Sequence, residues 1–199
     1  MLTSKNLKGN WGTLLLPINT DDSIDYRRLS EEIDRLIDAG LDGIYSNGTA
    51  GEFHNQTEAE FDKVQQVMAE KCQAAGMRFQ IGISHPGPIT SLERLQRTVA
   101  LRPDAFQVIL PDWVTPTDDE QIVFLSKMAE AAGSIPLVLY NPPHAKLVLS
   151  PAGLLKISKA IPQLIGVKLA SGDAQWYNDM RLQAPDLSIF VPGHLLATG

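Results

Sequence analysis

A lysine closes the apolar run LIGVK at residues 164–168, and LASGD with its glycine turn follows at once. Burying a lysine costs side-chain freedom and hydration, so packing alone seldom puts one there. Two readings compete. Lys168 reaches solvent from a half-exposed strand, its methylenes lying along apolar surface. Alternatively its amine stands in a cavity, where desolvation disfavours the ammonium form and leaves a nucleophile able to condense with a ketone. The resulting iminium draws electrons from the neighbouring carbon, which is what making or breaking a carbon–carbon bond there requires.

Two more stretches carry chemistry if they meet that amine. Tyr140 ends the run PLVLY, just before Asn141, Pro142 and Pro143. A strand tyrosine ordinarily packs its ring and satisfies its hydroxyl. Beside a reactive lysine it becomes a proton shuttle, because carbinolamine formation and carbon–carbon cleavage both move protons. GTAGE, residues 48–52, is a tight turn whose successive backbone N–H groups can face an anion, a carboxylate or a phosphate equally well. A plain glycine turn between strand and helix looks the same. Glu52 reads as a hydrogen-bond partner of that turn. His54, His85, His144 and His194 follow apolar runs and supply a metal-dependent alternative. No H-x-H or H-E-x-x-H pair is present, so no metal site is assigned.

Positioning these groups falls to an alternation of short apolar runs and helical periodicities. The runs are TLLLP (13–17), LDGIYSNG (41–48), FQIGIS (79–84), FQVILP (106–111), PLVLYNPP (136–143), LIGVK (164–168) and LSIFVPG (187–193). Between them Leu29, Ile33, Leu36 and Ile37 share one helix face, as do Phe61, Val64, Val67 and Met68. Asp118, Asp119 and Glu120 suit a helix N-terminus, and Ser150-Pro151 is a cap followed by proline at the first helical position. Strand and helix in this order predict an α/β fold with a parallel sheet, its strands apolar on both faces. An open doubly wound sheet competes with a (β/α)8 TIM barrel. No G-x-G-x-x-G follows the first strand, and a spacing of roughly 30 residues per strand favours the barrel. Residues 1–199 are read as one barrel domain that ends after strand 7, C-terminally truncated. With two open sheet edges, the chain alone is expected to fold poorly and to lack a cooperative thermal transition.

In such folds the site gathers at the C-terminal ends of the strands. Ser46 to Glu52, Ser84 and His85, Asp112 and Trp113, Tyr140 to Pro143, and Lys168 would then face one mouth. A net charge of -6 and the absence of any Lys/Arg cluster argue against nucleic acid as a partner. No apolar stretch approaches membrane-spanning length, and no signal-peptide core opens the chain. The single Cys72 lies in a helical pattern and reads as an ordinary helix residue suited to a reducing compartment. A cytoplasmic protein is expected.

GTAGE after strand 2, YNPP ending strand 5 and GVKLASGD around strand 6 together resemble the dihydrodipicolinate synthase / N-acetylneuraminate lyase family. Its members carry a GTTGE- or GSTGE-like turn, a YNxP segment and a lysine in a GxKxSSGD-like context, in this order and at this spacing. The resemblance runs over the whole chain. It implies a (β/α)8 barrel, a homo-oligomer (dimer or tetramer), acting on pyruvate or another 2-oxo acid through a lysine Schiff base. Carried over by position, Lys168 forms the Schiff base and Tyr140 shuttles the proton. Thr49 and the Ala50 backbone N–H bind the substrate carboxylate beside Gly48, with Thr49 also hydrogen-bonding Tyr140. No metal or organic cofactor is implied, since the iminium is the electron sink.

Three departures narrow the implied activity. Ala50 replaces the second hydroxyl residue of the turn. Trp113 stands where members with synthase activity carry a tyrosine lent by a neighbouring subunit, and an indole cannot relay a proton as a phenol does. His144-Ala145-Lys146 contains no arginine to grip a second carboxylate. These favour a lyase or aldolase over 4-hydroxy-tetrahydrodipicolinate synthase proper. A deoxy sugar-acid dehydratase, a non-catalytic 2-oxo-acid-binding paralogue and a phosphate-binding barrel isomerase are the other readings.

Overall fold

The computed structural model describes residues 1–169 and 172–193. Seven strands pair in chain order, every pair parallel: β1 (Trp11–Thr13), β2 (Gly43–Tyr45), β3 (Phe79–Gly82), β4 (Ala105–Val108), β5 (Leu137–Asn141), β6 (Leu164–Leu169) and β7 (Ser188–Phe190). Six helices connect them: α1 (Tyr26–Asp38), α2 (Glu58–Ala75), α3 (Pro88–Thr98), α4 (Asp118–Ala132), α5 (Pro151–Ala160) and α6 (Ala174–Gln183). Unbroken sequential order is that of a barrel wall, not of a doubly wound sheet, whose order reverses at a switch point. The sheet curls far enough to bring Trp11 on β1 within 6.3 Å of Phe190 on β7, edge to face.

Local sequence sets the helix ends. Thr57 and Glu60 close a reciprocal capping box on α2, and Thr117 and Glu120 close another on α4. Ser150 accepts from the Gly153 N–H ahead of Pro151, the first residue of α5. The helices bury one stripe each on the outer face of the sheet. Ile44, Ile81, Phe106, Val108, Leu139 and Val167 meet Ile33, Phe61, Met68, Leu95, Leu125 and Ile157 there. Each such side chain contributes about 1.5–3 kcal/mol on full burial. Cys72 belongs to this layer, and burial pushes its thiol up to about 12, so it is no nucleophile.

Two readings of the strands need correction. The strands are not apolar on both faces. Thr13, Tyr45, Gln80, Gln107, Tyr140 and Lys168 line the concave inner face, since alternate residues of a strand point to opposite sides. The first strand is Trp11–Thr13 rather than TLLLP. Leu14 still donates its N–H to the Tyr45 carbonyl, but Leu15 donates to Glu32 Oε1 and is exposed, so the chain has left the sheet.

The N-terminal segment fills the lower end of the concavity. Leu2 and Leu7 pack against Ala105, Val138 and Ile165. Gly166 makes the room: a Cβ there would stand 2.9 Å from Leu7 Cδ2 and 3.0 Å from the Ser188 carbonyl oxygen. Above this apolar floor the polar inner face opens.

Candidate active site

Tyr140 and Lys168 are register partners on β5 and β6, so their side chains leave the sheet side by side. The Lys168 Nζ sits 4.0 Å from the centre of the Tyr140 ring and 4.2 Å from that of Tyr45. None of the ion pairs among the described residues includes it. Burial lowers its pKa from the ordinary lysine value, and a charge interaction with Tyr140 recovers part of the fall. Aromatic faces steady a cation, yet unlike a carboxylate they do not hold it firmly to its proton. Amine and rings border a cleft of about 1000 Å³ along the inner face of the sheet.

The GTAGE turn approaches from β2. Asn47 takes a left-handed conformation, φ 52°, and Thr49–Gly51 form one 3-10 turn. Gly51 and Glu52 spend their N–H groups within it, on the carbonyls of Gly48 and Thr49. Among the described residues, no backbone hydrogen bond uses the N–H of Thr49 or Ala50. Gly48 lies so near the amine that a Cβ there would stand 3.2 Å from Lys168 Nζ. Thr49 Oγ1 lies 3.1 Å from the Tyr140 hydroxyl and 3.4 Å from His144 Nε2. Lysine, tyrosine, threonine and the glycine of the turn are thus brought together from three separate strand ends.

Most of the other residues read as facing one mouth are spent on structure, although Asn47 Nδ2 and Ser84 Oγ are buried with no partner among the described residues. Ser46 donates to Gln65 Oε1 at 2.6 Å and accepts from the Gly82 N–H. Asn141 holds the loop after β5, bonding the Leu147 carbonyl and the Leu149 N–H, each at 2.8 Å. Asp112 accepts from the Lys146 N–H, and Lys146 Nζ donates to the Trp113 carbonyl. Trp113 itself is 81% exposed. Glu52 accepts from Asn55. The histidines are dispersed: His54 packs edge-on against Phe53, His85 accepts from the Gly87 N–H, and only His144 reaches Thr49. His194 lies outside the described residues. No group of three or more His, Cys, Asp or Glu among the described residues could hold a metal ion.

Sequence reasoning missed three residues of this inner face. Tyr45 supplies the second ring under the lysine, and burial raises its pKa while the hydrogen bond with Thr13 works against that. Gln80 and Gln107 are both buried and both line the cleft. Polar residues one strand apart at matching heights, inside otherwise apolar runs, were the available signal.

Fold and site define a parallel α/β-barrel protein with a desolvated lysine on the inner face of its sixth strand. The model of the dihydrodipicolinate synthetase family matches residues 6–193, and the chain belongs to that family. It is 29% identical over 188 residues to the 4-hydroxy-tetrahydrodipicolinate synthase of Neisseria meningitidis serogroup C, covering 94% of this chain and 64% of that protein. It is 24% identical to the N-acetylneuraminate lyase of Escherichia coli, covering 93% and 62%. Among solved structures, the E. coli K12 prophage protein YagE in complex with pyruvate superposes with a TM-score of 0.89 at 21% identity, over 97% of this chain and 66% of that one. This chain therefore spans a little under two thirds of the curated relatives it matches. The barrel fold follows from these likenesses. No helix among the described residues is long and apolar enough to cross a membrane.

Proposed function

We propose that this protein is a Schiff-base-forming lyase or aldolase acting on pyruvate or a pyruvate-derived 2-oxo sugar acid. The observation that carries this reading is the amine of Lys168, partly desolvated beside two tyrosine rings with no carboxylate among the described residues paired to it. The names of its relatives, a synthase and a lyase, and the pyruvate in the YagE structure support the substrate class.

In the proposed cycle the neutral amine attacks the 2-oxo carbon, and the carbinolamine loses water to give the iminium. The iminium stabilises a carbanion on the adjacent carbon, where a carbon–carbon bond then forms or breaks, and water releases the product and regenerates the amine. Tyr140 carries the proton, and Thr49, 3.1 Å away, holds its hydroxyl in place. The N–H groups of Thr49 and Ala50 receive the substrate carboxylate. The cycle needs no metal and no organic cofactor. Loss of water from a deoxy sugar acid would run through the same intermediate. Synthase activity proper is disfavoured, because Trp113 offers an indole where a phenol would relay the proton and His144-Ala145-Lys146, after YNPP, contains no arginine.

A cytoplasmic homo-oligomer, dimer or tetramer, completes the reading. Ile89, Trp113, Val114 and Val123 are exposed around an apolar groove of about 690 Å³ between α3 and α4, and an identical subunit would cover them. The deciding experiment is intact-mass analysis after incubation with pyruvate and borohydride. The wild type is expected to gain one reduced pyruvyl adduct and Lys168→Ala none. A folded wild-type protein without adduct would end the proposal.

A further inference from the structure

Gln107 stands on the inner face of β4, two residues above Ala105 of the apolar floor. It is 1% exposed, it lines the cleft, and its amide nitrogen has no hydrogen-bond partner among the described residues. Buried amide donors are seldom left unmade, so one that borders a cavity beside a reactive group points to a ligand. Its position is specific. From the point where a Cβ on Gly48 would lie, Lys168 Nζ is 3.2 Å away, the Tyr45 ring 3.4 Å and Gln107 Nε2 3.8 Å. Amine, amide and the start of the GTAGE turn thus surround one small space. A group attached to a carbon bonded to Nζ comes within reach of this space.

We propose that Gln107 is a substrate-binding residue whose amide N–H takes a carboxylate oxygen of the 2-oxo acid held on Lys168. This rests on the Schiff-base reading and adds a specificity determinant to it. The turn offers one hydroxyl, on Thr49, and position 50 is an alanine, so the carboxylate lacks a side-chain donor on that side. An amide supplies it without a second positive charge next to the amine, which would make the lysine's proton easier still to lose but would crowd two cations into one pocket. An N–H to a carboxylate is among the stronger hydrogen bonds a neutral side chain makes.

The test compares half-saturating concentrations of pyruvate and of methyl pyruvate in the borohydride trapping reaction. Gln107→Leu is expected to raise the value for pyruvate roughly tenfold or more. For the uncharged ester the same substitution should change it by less than about twofold. Gln107→Glu keeps the shape and reverses the preference, so it should weaken pyruvate further. Adding Ala50→Ser to Gln107→Leu should restore part of the loss. An unchanged value for pyruvate in Gln107→Leu overturns the proposal. So does an equal loss with acid and ester, which would mark Gln107 as a support of the cavity wall. No adduct on the wild type at any pyruvate concentration is a different failure: it removes the Lys168 reading itself, and this inference with it.

Discussion

Arg94 on α3 is buried and Lys168 on β6 half-buried, but Arg94 is surrounded by acceptors and Lys168 by aromatic rings. Arg94 is 1% exposed and donates to both oxygens of Glu58, to the Ser84 carbonyl at 2.5 Å and to the Phe53 carbonyl at 3.4 Å. Its guanidinium also lies 4.6 Å from the Phe61 ring. Burial would raise the Glu58 carboxyl, yet the hydrogen bonds from Arg94 and Arg97 outweigh it and hold that group below its ordinary value. Lys168 has no such anion among the described residues. A guanidinium with every nitrogen hydrogen-bonded is fixed as a cation and ties the loop after β3 to the loop after the GTAGE turn. An amine left without acceptors is free to be neutral, which chemistry at a carbonyl demands. The same fold treats one cation as a rivet and keeps the other reactive.

The largest test of this contrast removes the proton carrier beside the reactive cation. Tyr140→Phe keeps the ring against Lys168 and deletes only the hydroxyl that meets Thr49. Adduct formation with saturating pyruvate is expected to slow roughly 100-fold or more, the usual worth of a positioned acid–base group. Stopped reactions sampled by intact mass give the rate. A loss within about threefold would mean that the ring alone matters and that protons travel another way.

Arg94→Met tests the other side. It strips donors from two backbone carbonyls and leaves Glu58 only its one bond from Arg97. Unfolding should become easier by about 3 kcal/mol, at the low end for a broken buried pair because Glu58 keeps some solvent and a second partner. Denaturant titration measures it. The Lys168 adduct should still form below the melting temperature. A variant of undiminished stability would show that Arg94 is not the rivet its hydrogen bonds describe.

Much of this arrangement could be read from the sequence, and the reason differs between its parts. The alternation of strand and helix was plain, because each helix carries its own stripe and caps, as Thr117 with Glu120 and Ser150 with Pro151 show. Lys168 and Tyr140 stood out because each ends an apolar run, and Thr49 because it sits in the GTAGE turn that carries the family resemblance. The inner face was hidden. One glutamine inside FQIG or AFQV looks like noise in a buried strand, and only pairing Tyr45 to Gln80 and Gly82 to Gln107 across neighbouring strands gathers the polar side chains on one surface. The first strand was misplaced for a related reason. A run of leucines outweighs Trp11-Gly12-Thr13 in any count of apolar residues, although the hydrogen-bond ladder with β2 runs through the latter.

The smallest effect is also the one that separates the two cations by sign. Replacing Arg94 weakens the protein, whereas replacing Lys168 should strengthen it. Lys168→Met keeps the unbranched chain to within one atom of its length and removes a group whose charged form burial disfavours. The folded-state pKa of Lys168 lies below the ordinary 10.5. Between those two values the unfolded chain binds more protons than the folded one, so wild-type stability rises with pH across that window. Below the folded-state pKa the half-buried ammonium carries its whole desolvation cost in the folded state, and above 10.5 neither state carries the charge. In a chain long enough to close the barrel, Lys168→Met should therefore raise the melting temperature by roughly 2–4 °C at neutral pH, about 1 kcal/mol. That gain should shrink as the pH climbs toward the ordinary lysine range. A melting temperature equal to or below the wild type's at neutral pH would mean that Lys168 is satisfied where it stands. The distinction between a paired cation and a reactive one would then fail at its most sensitive point.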